Sequence, residues 1–188
     1  MTQKQLLDIF KETGSILDGH FVLSSGFHSP QYLQCARVLS YPKHASSLCN
    51  LLAEKFKDRK PDIVIAPALG GIIVSHEVAR ALGAESLFTE RVEGKMVLRR
   101  GFRLKEKDRV LVVEDVVTTG LSTNEVIEVV RYAGAKLAGV GCLIDRSKGN
   151  VNFAPRFESL IKIDIPLFNS ENCPLCKNKV PITKPGSR

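Results

Sequence analysis

Glu114 and Asp115 stand side by side, and Thr118, Thr119, Gly120 and Ser122 follow within the same short run. Paired carboxylates accept hydrogen bonds from neighbouring hydroxyls, so together they suit a vicinal diol. Threonine hydroxyls beside a glycine free to take a positive φ add donors to the exposed backbone N–H groups, which suits a phosphate. Acids first and loop second, these residue types predict a grip on a sugar phosphate. An acidic pair alone is more often a surface feature; the complete run VLVVEDVVTTGLST over 110–123 is what points to a ligand.

The flanks of this run say what must hold it. Val110, Leu111, Val112 and Val113 are apolar and mostly β-branched, which predicts a strand buried on both faces in a parallel sheet. Two like charges have no place in a dry core, so the strand is expected to end at Glu114 and deliver both acids to a wet cleft. From Leu121 the spacing becomes helical, with Val126, Ile127, Val129, Val130 and Ala133 on one broad face. The start of that helix brings its dipole and unpaired N–H groups to the threonine loop. Neither a GxxxxGK[ST] phosphate loop nor a GxGxxG turn occurs, so mononucleotide hydrolysis and dinucleotide redox chemistry lose support.

Elsewhere, Leu6, Leu7, Ile9 and Phe10 predict a helix ending near Gly14, and short strands are expected over 21–23 and 32–39. A helix is predicted over 44–56, a buried strand over 63–66 and a helix over 72–82. The turn between the last two holds Ala68, Leu69, Gly70 and Gly71. Further strands are expected over 87–88, 140–144 and 160–163, and this alternation argues for an α/β protein with a mostly parallel sheet. Ligands of open sheets bind outside the carboxyl ends of the strands. Three loops are therefore expected to converge: 68–71, 114–122, and Asp145 with Arg146. The double glycine allows close backbone approach and reads as a second phosphate contact, for a pyrophosphate.

The chain has 188 residues, enough for one domain with a substantial core, and its 44% apolar and 25% charged residues are ordinary for a folded protein. No stretch reaches membrane-spanning length, and the polar start MTQKQLLDIFKE lacks the apolar centre of a signal peptide, so a cytosolic protein without membrane association is expected. Five scattered cysteines do not form a secreted disulfide framework. The net charge of +7 implies an anionic partner, and residues 91–109 hold eight basic against three acidic side chains.

The run over 110–123 resembles the phosphoribosyl-pyrophosphate (PRPP) signature of the type I phosphoribosyltransferases. GHFVLSSGFHSPQYLQ over 19–34, IAPALGG over 65–71, ERVEGK over 90–95 and LIDRSKG over 143–149 extend the resemblance to the orotate phosphoribosyltransferase family, over nearly the whole chain. It implies the type I phosphoribosyltransferase fold: α/β, a central mostly parallel sheet flanked by helices, with a small N-terminal hood. One domain over 1–172, its hood largely 15–40, would be followed by a Cys-x-x-Cys knuckle and basic tail over 173–188.

The implied reaction is a Mg²⁺-dependent pentosyl transfer joining orotate to PRPP, giving orotidine 5′-phosphate and pyrophosphate in de novo pyrimidine synthesis. By the resemblance, Glu114 and Asp115 take the ribose, and Val116, Val117, Thr118, Thr119, Gly120, Leu121 and Ser122 the 5′-phosphate. Ala68, Leu69, Gly70 and Gly71 complete PRPP binding, while Arg146, Thr118 and the hood residues Ser24, Ser25, Gly26, Tyr32 and Leu33 take orotate. Catalytic roles fall to Arg91, Glu93 and Lys95, in a mobile loop shared across a homodimer, with Lys95 as the cation at the leaving group. Mg²⁺ would be carried by substrate oxygens rather than an all-protein cage. The chain departs from many members at Ser24 and Gly70, where lysines are common, and Met96 and Val97 after Lys95 imply a shorter loop running into an apolar strand. A branch often seen in thermophiles shares these features and a CPLC knuckle.

Cys173 and Cys176 have the spacing of half a zinc site, and a metal there would need ligands from elsewhere in the fold or from a second tail. A structural knuckle with free thiols is the preferred reading. His20, His28, His44 and His76 show no metal-ligand spacing; His28 is placed near the active site and the others are read as structural. Two further functions remain open: transfer to another base, purine or uracil, and a PRPP-sensing regulator that binds nucleic acid. No helix-turn-helix or RNA-binding motif supports the latter.

Overall fold

The computed structural model describes residues 1–23 and 26–184. In chain order its elements are α1 (Gln3–Glu12), β1 (Ile16–Val22), β2 (His28–Leu33), α2 (Cys35–Leu39), α3 (Pro42–Glu54), β3 (Ile63–Pro67) and α4 (Gly71–Leu82). They continue with β4 (Glu85–Val92), β5 (Lys95–Leu98), β6 (Arg109–Val117), α5 (Leu121–Tyr132), β7 (Lys136–Asp145), β8 (Phe157–Lys162) and α6 (Pro174–Lys177). The chain divides into two compact units, Met1–Val38 with Ile163–Arg188, and Leu39–Lys162. No helix among the described residues is long and apolar enough to cross a membrane.

In the first unit, Thr2 and Gln5 close a capping box on α1, with Gln5 N–H donating to Thr2 Oγ1 at 3.3 Å and Thr2 N–H to Gln5 Oε1 at 2.8 Å. β1 and β2 form an antiparallel hairpin whose register shifts between Asp18 and Phe21. The strand expected over 32–39 stops at Leu33, and Cys35–Leu39 is helical. Cys35, Val38 and Leu39 are the buried residues there, and their i, i+3, i+4 spacing is that of a helix face, which the short apolar run concealed.

The second unit is built on a six-stranded sheet in the order β5-β4-β3-β6-β7-β8, parallel except for the β4–β5 hairpin. Central β3 and β6 are apolar on both faces, and Ile65 and Val112 are fully buried in a core that Leu87, Val126, Ile127 and Val130 complete. On the other side Phe56 and Leu52 pack against β7 where it carries glycine: a Cβ on Gly141 would lie 2.9 Å from Phe56 and 3.3 Å from Leu52. From β3 the chain moves outward to β4 and β5, and from β6 outward the other way to β7 and β8. The topological switch therefore lies between β3 and β6, which is where ligands of open sheets bind.

Two local expectations change. β6 does not end at Glu114 but runs through Asp115 to Val117, because β7 continues the ladder beside it, with Glu114 paired to Cys142 and Val117 to Asp145. Residues 90–95 form no open loop: Arg91 is on β4, Lys95 opens β5, and Glu93 with Gly94 makes a two-residue turn at φ 48° and 81°. Successive positive φ values are what a tight right-twisted hairpin requires.

Candidate active site

The turn after β3 meets the acidic end of β6 at that switch. Gly70 and Gly71 lie directly against the two carboxylates: a Cβ on Gly70 would stand 2.7 Å from Asp115 Oδ2, and one on Gly71 3.3 Å from Glu114 Oε1. Neither acid has a basic partner among the hydrogen bonds of the site. Asp115 N–H donates to Glu114 Oε1 at 3.2 Å and Val116 N–H to Asp115 Oδ1 at 2.8 Å, so the backbone of β6 itself orients the pair.

Burial dominates their electrostatics. Glu114 is 8% exposed, and loss of hydration, reinforced by the adjacent Asp115 charge, pushes its carboxyl up to about 9. Asp115 is also raised by burial. Two carboxyls held this way are poised for hydroxyl donors or a cation, either of which would relieve the cost of their charge.

Beyond them, residues 116–123 and Glu114 line a cavity of about 180 Å³. Gly120 takes φ +75°, as its place in the turn predicts, and Phe153 and Val151 close on it so tightly that a Cβ would lie 2.8 Å and 3.0 Å from them. Thr118 and Thr119 are exposed, and Leu121 N–H reaches Thr119 Oγ1 at 3.4 Å. Neither α4, which starts at Gly71, nor α5, which starts at Leu121, has a side-chain cap or an acid in its first turn. Two helix N-termini thus lie at the switch with no side-chain cap from Gly70 or Gly120, one after each central strand, which suits two phosphate groups.

A third loop joins from β7. Arg146 N–H donates to Val117 O at 2.8 Å, tying this loop to the end of β6, and Ser147 N–H donates to Asp145 Oδ1 at 2.8 Å. The Arg146 guanidinium is half-buried, and desolvation lowers its pKa, so its charge would gain from an anionic partner.

The phosphoribosyl transferase domain model matches residues 37–164. A protein of Desulforamulus reducens called orotate phosphoribosyltransferase is 52% identical over 188 residues, all of this chain and 98% of its own length. The chain belongs to the orotate phosphoribosyltransferase family. A second member, from Caldanaerobacter subterraneus subsp. tengcongensis, is 51% identical over 188 residues, covering 99% of that protein. The crystal structure of orotate phosphoribosyltransferase from Aeropyrum pernix superposes with a TM-score of 0.70 at 28% identity, over 84% of this chain and 93% of that one. The type I phosphoribosyltransferase fold expected from the sequence is the fold found.

The second unit brings together the two segments expected from the sequence to bind PRPP, Ala68 to Gly71 and Glu114 to Ser122, with Arg146. Tyr32 and Leu33 lie on β2 of the first unit, and Ser24 and Ser25 lie outside the described residues. On the β4–β5 hairpin, Arg91 is committed to Glu125 of α5 by a two-pronged ion pair and also donates to Gly94 O at 2.6 Å. Glu93 and Lys95 are exposed. Sequence reasoning missed Glu125, Val151 and Phe153. The last two sit in a stretch without helix or strand periodicity, so no pattern marked them as the packing behind Gly120.

Proposed function

We propose that the protein transfers the phosphoribosyl group of PRPP to orotate, forming orotidine 5′-phosphate and pyrophosphate, and so serves pyrimidine synthesis. Glu114 and Asp115 accept hydrogen bonds from the ribose hydroxyls, and the 118–122 loop with the α5 N-terminus holds the 5′-phosphate. The Gly70–Gly71 turn and the α4 N-terminus take the pyrophosphate end. Arg146 pairs with the orotate carboxylate, and Thr118 contacts the base.

As the C1–O bond loosens, positive charge grows on the ribose and negative charge on the departing pyrophosphate. Ionised once ribose hydroxyls and a cation relieve the cost of burying their charge, Glu114 and Asp115 favour a cationic ribose, and Lys95, exposed at the start of β5, supplies charge toward the leaving group. The donor set fits Mg²⁺ brought in on PRPP, since this ion takes one or two carboxylates with substrate phosphates; Glu114 and Asp115 would hold it, and when bound it neutralises pyrophosphate charge. In a homodimer, the β4–β5 hairpin would serve the neighbouring subunit's site.

The observation that carries this reading is the contact of Gly70 and Gly71 with Asp115 and Glu114 at the switch point, with an uncapped helix following each loop. Purified protein supplied with Mg²⁺ and PRPP should consume orotate, followed by the loss of its ultraviolet absorbance. Turnover of hypoxanthine, xanthine or uracil with orotate untouched would overturn the choice of base.

A further inference from the structure

The first unit draws together four side chains that the phosphoribosyl chemistry does not use. His20 Nε2 lies 2.7 Å from His28 Nδ1, 3.6 Å from Cys173 Sγ and 3.7 Å from Cys176 Sγ, and Cys176 Sγ is 3.3 Å from His28 Nδ1. All four ligand atoms fall within 4.8 Å of one another. From these distances we propose that His20, His28, Cys173 and Cys176 form a structural Zn²⁺ site joining the N-terminal hairpin to the C-terminal knuckle.

The local structure is built to converge on this point. The irregularity in β1 between Asp18 and Phe21 makes His20 and Phe21 consecutive buried residues where strict alternation would turn one of them outward. Such a bulge re-aims a side chain, here His20, toward the side that His28 also faces. The C-terminal segment then embraces the hairpin. Phe168 exchanges two backbone hydrogen bonds with His28, Thr183 bonds to His20 O and Val22 N, and Cys173 opens α6 between them.

Backbone chemistry also fixes a tautomer. His20 Nδ1 lies 2.9 Å from Val180 O, an acceptor only, so Nδ1 carries the proton and Nε2 turns its lone pair to the centre. A carbonyl behind a ligating histidine is the usual outer-shell support of a zinc site.

Tetrahedral geometry with Zn–N of about 2.0 Å and Zn–S of about 2.3 Å sets S···N edges of roughly 3.5 Å. The three S···N distances above bracket that value. The His20–His28 contact is shorter than the corresponding N···N edge of about 3.3 Å, so these two rings must part slightly to admit the ion. Two thiolates cancel the charge of Zn²⁺, leaving a neutral centre suited to burial; His20, His28 and Cys173 are 1%, 6% and 0% exposed. Nitrogen and thiolate donors select against Mg²⁺ and Ca²⁺, and four protein ligands leave no open position for catalysis. The residues joined are far apart in sequence, 153 positions between His20 and Cys173, so an ion here would fasten the two ends of the chain.

Metal content settles the matter. Untagged full-length protein, purified reducing and without chelator, should carry one zinc per chain by plasma mass spectrometry, released when a mercurial blocks the thiols. Cys176→Ser and His20→Ala should lose it, and exposed His76→Ala should keep it. Should the ligand variants fail to fold, Co²⁺ added to metal-stripped wild-type protein must give the visible bands of a tetrahedral site and a thiolate charge-transfer band. Absence of zinc as isolated together with no uptake of Zn²⁺ or Co²⁺ by the reduced protein would overturn the site. So would zinc retained by folded Cys176→Ser.

Discussion

Asp115 occupies the space a side chain on Gly70 would need: a Cβ there would come within 2.7 Å of Oδ2, 2.8 Å of Oδ1 and 2.9 Å of Cγ. The lysine that many relatives are expected to carry at this turn is therefore incompatible with the Asp115 conformation found here. Asp115 cannot easily yield, since Val116 N–H holds its Oδ1 at 2.8 Å. Gly70→Ala should thus push the carboxylate off its hydrogen bond. Overpacking of this kind costs about 1–3 kcal/mol of stability, so the melting temperature should fall, and displacing Asp115 should add a roughly ten-fold or greater loss in PRPP affinity. Isothermal titration with PRPP and Mg²⁺ measures it; unchanged affinity would show that Asp115 does not contact the ribose.

The neighbouring acid predicts a pH dependence. Glu114 has a folded-state pKa of about 9 against an ordinary 4.5, so the folded protein holds a proton that the unfolded chain releases. Its effect on stability is absent below about pH 4.5 and becomes increasingly unfavourable as pH rises toward 9, at up to about 1.4 kcal/mol per pH unit. Glu114→Gln removes this titration while keeping the shape. The ligand-free variant should be more stable than the parent at pH 8 and nearly equal at pH 4.5, by denaturant melts, while losing PRPP turnover. Parallel stability curves for the two proteins would refute the buried titration.

Arg146 is the residue whose loss should separate the two substrates. Its half-buried guanidinium sits beside the end of β6, and an orotate carboxylate would give it the bidentate partner it lacks among the hydrogen bonds of the site. Arg146→Ala should raise the KM for orotate by roughly ten- to a hundred-fold and leave PRPP binding within about three-fold, consistent with loss of a charge-assisted contact of about 1.5–3 kcal/mol. Arg146→Lys should recover little of it, because an ammonium cannot form the fork. Equal losses for both substrates in initial-rate kinetics would remove the arginine from base recognition.

Much of this site was legible because its signals are local. A β-branched run, two acids, a glycine turn and a helical repeat each follow from adjacent residues, and β6, Gly120 and α5 lie where that order predicts. What stayed hidden depends on residues distant in sequence. Nothing near Glu114 announces that β7 will extend beside it and keep it inside the sheet. Nothing near Arg91 announces Glu125, 34 positions away, which fixes the hairpin to α5. The CPLC pair gave half a ligand set, but His20 and His28 acquire their common direction only from a bulge in β1 and from backbone bonds with the C-terminal segment.

Gly120 tests whether the phosphate loop tolerates any side chain. At φ +75° an alanine is strained, and its Cβ would lie 2.8 Å from Phe153 Cζ. Gly120→Ala should cost about 1–3 kcal/mol of stability and weaken PRPP more than orotate. Adding Phe153→Leu should recover part of the stability by opening space, while the backbone strain remains; a double variant as unstable as the single one would show that the ring contact is immaterial.

Arg91 and Lys95 lie on the same hairpin but are predicted to fail differently. Arg91 is spent on Glu125 and Gly94, so Arg91→Ala should remove an exposed ion pair that contributes little to stability and leave kcat within a few-fold. Lys95 is exposed at the start of β5, and its proposed role is to face the pyrophosphate leaving group as charge develops there. Lys95→Ala should lower kcat by ~10² or more, with melting temperature and orotate KM nearly unchanged, the pattern of a group that acts in the transition state rather than in binding. Mixing inactive Lys95→Ala with inactive Glu114→Gln would then report on the dimer. If the hairpin serves the neighbouring subunit, hybrid dimers place both defects in one site and leave the other intact, and each hybrid regains up to half the activity of a wild-type dimer. Recovery of this kind requires the shared arrangement, because each subunit using its own lysine would leave every site with one defect.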